Sequence, residues 1–86
     1  MPNKNYIRGR RKEYQITKKY KDLGYEIAQR SAGSHSPIDV FAIDKETKTI
    51  MLIQSKPDSM SDNAKKKIID EHKWLNGQFK VIFEVV

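Results

Sequence analysis

Glu13, Asp39, Gln54 and Lys56 are the residues of this chain whose types and spacing could do chemistry together. Fourteen residues separate Asp39 from Gln54-Ser55-Lys56, and Glu13 lies upstream of both. A magnesium ion wants hard oxygen ligands and keeps several waters. Asp39 supplies a carboxylate and Gln54 an amide oxygen, with the Ser55 backbone carbonyl beside them. Glu13 can hold the ion directly or through water. Lys56 can orient or deprotonate an attacking water and contact a scissile phosphate. The ion lowers the pKa of that water and neutralises charge developing on phosphorus. The set therefore points to phosphodiester hydrolysis with Mg2+, for which Mn2+ can substitute.

These residues act together only if the chain folds to bring them together. The spacing predicts a first helix over about 5–23, stopped by Gly24, with Lys18, Lys19 and Lys21 in its last turns where positive charge suits the helix dipole. Ile16, Tyr20 and Leu23 mark its core face, and Glu13 continues that series three residues earlier. Ile7 and Tyr14 fall on roughly the opposite face, as a subunit contact or plain surface. Residues 25–29 read as a short strand, and 30–37 (RSAGSHSP) as a polar loop.

Residues 38–44 (IDVFAID) and 49–56 (TIMLIQSK) read as two strands joined by the polar 45–48. A four-residue hairpin loop there sets Asp44 opposite Thr49, Ala42 opposite Met51, Val40 opposite Ile53 and Asp39 opposite Gln54. Alternation then puts Asp39, Gln54 and Lys56 on one face at one end of the pair. A slip of one residue would destroy this convergence. Ser59 or Ser61 can cap a second helix running to about Leu75, with Lys65, Lys66 and Lys67 as a basic first turn and Gly77 as its stop. Residues 79–86 (FKVIFEVV) read as a closing strand, covered on both sides or paired with another subunit.

Taken singly, each residue has a plainer explanation. Asp39 suits a turn after Pro37, Lys56 a solvated strand edge, and Glu13 a helix-surface ion pair. Gln54 in an apolar strand is harder to dismiss, because a buried amide needs partners. It is the joint placement that favours function. His35 reads as a loop residue near DNA and His72 as helix surface; no zinc spacing is present. Trp74 reads as core or interface. Arg8, Arg10, Arg11 and Lys12 form either a phosphate-binding strip or a solvated face.

Composition narrows the partner. Seventeen Lys and Arg against eleven Asp and Glu give +6, which favours a polyanion, nucleic acid first. The longest apolar run, Ile50–Ile53, is far short of the ~20 residues a membrane span needs. With no cysteine, disulfides, thiolate zinc sites and a cysteine nucleophile are excluded. An intracellular setting, a single domain over 1–86 and a homo-oligomer are the expectations for a chain of this size.

The run Arg30-Ser31-Ala32-Gly33-Ser34, then Ile38-Asp39-Val40, then Ile53-Gln54-Ser55-Lys56, resembles the archaeal Holliday-junction resolvases of the PD-(D/E)XK nuclease superfamily. Gly9–Glu13 and Leu23–Ile27 are similar to that family's first helix and strand, so the resemblance covers about 5–56. It implies an α/β fold with a mixed sheet in the order α-β-β-β-α-β, a homodimer, Mg2+ and cutting of four-way DNA junctions, and with these a place in recombination and repair. Carried over, Glu13, Asp39 and Gln54 take the ligand positions and Lys56 that of the catalytic lysine. Arg30 and Ser34 match loop positions near the scissile phosphate. Two departures stand out: Gln54 replaces the usual Glu, and Tyr14 the usual Arg after the helical Glu. The Q-x-K pattern resembles Mrr-like restriction nucleases. Other readings are a repair or restriction-type endonuclease, a DNA-binding module that has lost catalysis, and a basic RNA-binding protein.

Overall fold

The computed structural model describes residues 4–31 and 36–86, with side chains from residue 7 onward. Two helices and one antiparallel sheet make an α/β fold: α1 (Lys4–Asp22), β1 (Ile27–Arg30), β2 (Val40–Asp44), β3 (Thr49–Ile53), α2 (Asp62–His72) and a 3-10 turn over Lys73–Leu75. The sheet is a meander in the order β1-β2-β3.

α1 ends as its sequence dictates. Gly24 takes φ +96°, which a side chain would disfavour. The Tyr25 amide donates to the Tyr20 carbonyl at 3.1 Å and the Gly24 amide to that of Lys21 at 3.0 Å. These two bonds close a Schellman motif. The Tyr20 and Tyr25 rings meet edge to face at 5.0 Å and seal the turn with an apolar contact. The chain is thereby turned back under the helix into β1.

The hairpin has the expected register: Val40 opposite Ile53, Ala42 opposite Met51 and Asp44 opposite Thr49. On the other side of β2, Arg30 pairs with Val40 and Ala28 with Ala42. Among the described residues, Ala28, Val40 and Ala42 are the buried apolar ones, and Thr17 of α1 is buried with them. Alternation places all three on one sheet face, and α1 packs across β1 and β2 there. The two alanines let the helix come close. Thr17 directs its hydroxyl to the Glu13 carbonyl one turn back, at 2.9 Å, and so satisfies its own polar group.

Several boundaries differ from expectation. β2 and β3 are shorter than predicted, so Asp39, Gln54 and Lys56 lie just past the paired strands. α2 begins at Asp62 and places that acid, not Lys65–Lys67, in its first turn. The Ser61 hydroxyl caps it by accepting from the Ala64 amide at 3.1 Å. Replacing Ser61 with Ala should cost about 1 kcal/mol, read as a lower midpoint in urea unfolding with unchanged slope.

The closing strand predicted over 79–86 does not form. Residues 76–86 pair with no strand among the described residues, and 79–86 are all exposed. A β-rich sequence needs a neighbouring edge to complete its ladder, and none lies alongside it here. Among the described residues the order is α-β-β-β-α without the final β, and the sheet is antiparallel throughout, not the mixed sheet expected. Among the described residues, no helix is long and apolar enough to cross a membrane.

Candidate active site

The end of the sheet at Arg30, Val40 and Ile53 collects the polar residues. Just past β2, the Asp39 amide donates to the Ile53 carbonyl and the Ser31 amide to the Asp39 carbonyl, each at 2.8 Å. The Ser31 bond continues the β1–β2 register by one residue, whereas the Asp39 bond goes to Ile53, which already faces Val40, so the β2–β3 register ends there, short of the expected Asp39–Gln54 pair. Its Oδ2 accepts from the Ser55 amide at 2.8 Å. One carboxylate oxygen therefore fixes the backbone of the Gln54-Ser55-Lys56 segment.

Gln54, Ser55 and Lys56 are half-buried. They line a cavity of about 320 Å³ whose walls include Ile16 of α1, Leu52 of β3, and Ile68 and Leu75 at the second helix. Lys12, Lys65 and His72 also reach this cavity, so its charged lining is basic. His72, expected on the helix surface, turns its Nδ1 to within 2.8 Å of the Ile68 carbonyl oxygen.

Glu13 is engaged elsewhere. Its Oε2 accepts from Arg30 Nε at 2.9 Å, and both side chains are largely shielded from solvent. Arg30 lies on β1 whereas Gln54 follows β3, two strand spacings away, about 10 Å. The helical carboxylate therefore neutralises Arg30, whose guanidinium it holds more firmly protonated. Asp39 is joined to the backbone of the Gln54-Ser55-Lys56 segment through the Ser55 amide, while Glu13 stands at the same sheet end in an ion pair.

The basic residues of α1 divide into two groups. Arg8, Arg11, Lys12 and Lys19 line an open groove of about 990 Å³, whose far wall is Ser55–Ser59 and includes Lys56. Lys12, predicted as a DNA contact, is also an internal strap. Its ammonium donates to the Lys56 backbone carbonyl and pairs with Asp58 Oδ1 at 2.7 Å. That hydrogen bond holds the Asp58 carboxyl below the usual carboxylate range. Arg10 belongs to the other side of the helix, where it donates to the Tyr14 hydroxyl at 3.5 Å. The predicted contacts Ser34 and His35 lie outside the described residues.

Sequence reasoning missed Asp58 as the partner of Lys12 and read Tyr14 as a subunit contact or plain surface where the resembled family has Arg. The Arg10–Tyr14 spacing of four residues was the available signal, since it stacks the two on one helix face.

As donors for Mg2+ the residues fit in part. Asp39 has a second carboxylate oxygen and Gln54 an amide oxygen, both hard ligands, but Asp39 is not among the residues that line the cavity with Gln54. Among the described residues, no group of three or more His, Asp or Glu is placed to hold a metal ion. Comparison with protein-family models, curated proteins and solved structures finds no match for this chain.

Proposed function

We propose that the chain is a Mg2+-dependent endodeoxyribonuclease of the Holliday-junction-resolvase type, hydrolysing phosphodiester bonds in branched DNA. The observation that carries this reading is the groove in which Arg8, Arg11, Lys12 and Lys19 of α1 face the Ser55–Ser59 wall that carries Lys56. A cationic track that ends at a lysine tied to an aspartate-anchored segment suits a nuclease. The track binds backbone and the segment acts on it.

Asp39 and Gln54 would hold Mg2+, which when bound activates water and neutralises charge on the phosphate. Lys56 would contact the scissile phosphate or orient the water. Arg30, held by Glu13, would lie beside the DNA at the same sheet end. Exposed Ile27, Ile50, Leu52, Ile69 and Trp74 support a homodimer, because so much open apolar surface is costly in water. Two copies would then make paired nicks.

Cleavage of a labelled four-way junction under Mg2+ or Mn2+ titration tests the reading, beside a linear duplex and a flap. Preferential junction cutting is the expected result. Equal cutting of duplex or flap would instead support a repair or restriction-type endonuclease. Tight binding without cutting at any metal concentration would support a non-catalytic DNA-binding module.

A further inference from the structure

Arg10, Tyr14 and Arg30 form a cluster that the groove does not use. Both guanidiniums reach one phenolic oxygen, Arg10 at 3.5 Å and Arg30 at 3.4 Å. Both also stack on the Tyr14 ring, Arg30 at 4.8 Å and Arg10 at 5.7 Å from its centroid. The hydrogen bond from Arg10, then that from Arg30, lowers the Tyr14 pKa. The ring thus gathers two cations that would otherwise repel. Arg30 also pairs with Glu13. A guanidinium carries five N–H donors in a planar fork that matches a phosphate. The contacts to Glu13 and Tyr14 use two of those on Arg30.

The place of the cluster matters as much as its charge. At 3.6 residues per turn, positions 10 and 14 lie about 140° round α1 from the mean direction of 8, 11, 12, 15 and 19. The last five line the groove, and Arg10 and Tyr14 do not. The inner face of α1, with Thr17 buried against the sheet, is flanked by the groove on one side and the cluster on the other. A helix with its side chains is about 10–12 Å across, close to the ~12 Å width of a DNA major groove.

We propose that Arg10, Tyr14 and Arg30 form a second phosphodiester contact, so that α1 is straddled by two DNA backbones at once. The ligand is double-stranded DNA, and a lone strand occupies only the groove. Tyr14 is a positioning residue here: its ring and hydroxyl hold both arginines toward the second backbone. This inference rests on the DNA reading of the groove and deepens it.

Equilibrium binding in EDTA separates the two, because no cleavage is needed. Wild type, Arg10→Ala and Arg8→Ala are titrated with a duplex and with a single strand of equal length across a salt series. Circular dichroism checks that each variant is folded. Arg8→Ala should weaken both ligands. Arg10→Ala should reduce the magnitude of the salt slope by about 0.9 on duplex, the value of one phosphate contact, and leave the single strand unchanged. Tyr14→Phe should give a smaller loss on duplex alone, because the ring stays and the hydroxyl goes. An Arg10→Ala slope equal to wild type on duplex, or an equal loss on single strand, overturns the second contact while the groove stands. Failure of wild type to bind either ligand overturns the groove reading, and the second contact with it.

Discussion

Replacing Asp39 with Asn should reduce Mg2+-dependent cleavage by roughly 10²–10³-fold while junction binding stays near wild type. The substitution separates chemistry from architecture. Asp39 Oδ2 accepts from the Ser55 amide, and the carboxamide oxygen of Asn can accept the same bond. The Gln54-Ser55-Lys56 segment therefore keeps its place, and so does the groove wall it forms. What disappears is the negative charge that would hold the cation. Cleavage rates and binding constants measured side by side decide the matter. Undiminished cutting by the Asn variant, or binding lost along with cutting, contradicts the assigned role.

The second large effect is a gain. Gln54→Glu should lower the Mg2+ concentration for half-maximal cleavage by about tenfold, because affinity in oxygen-ligand sites rises with ligand charge. The new carboxylate would enter a cavity also lined by Lys12, Lys56 and Lys65, whose ammonium groups offset the cost of burying it. Both side chains have similar volume, so the apolar walls at Leu52 and Ile68 need not move. An unchanged metal dependence would place Gln54 outside the ion's coordination sphere.

The parts of the fold readable from sequence are those set by local periodicity. Strand patterns in 38–44 and 49–56 with a four-residue loop over 45–48 set a register that the hairpin adopts from Val40–Ile53 to Asp44–Thr49. Leu23-Gly24 announces the end of α1, and Ser59 or Ser61 the start of α2, where Ser61 is the residue that caps it. The pairing of Glu13 with Arg30, and of Lys12 with Asp58, depends on where separate elements come to rest. Glu13 was legible as an inward carboxylate but not as the partner of Arg30, since either an ion or a guanidinium satisfies it. Residues 79–86 show the converse: high strand propensity, with no edge to complete. The extension of Asp39 beyond β2 follows from its backbone bonds to Ile53 and Ser31, which no propensity encodes.

The uncovered tail has a colloidal consequence. Phe79, Val81, Phe83 and Val85 stand in water on a molecule whose dispersal in solution rests on its excess of +6. Added electrolyte shortens the reach of that self-repulsion, to about 10 Å at 0.1 M and about 3 Å at 1 M. Ionic strength therefore works against this chain twice, loosening the proposed hold on a polyanion while letting its sticky surfaces meet.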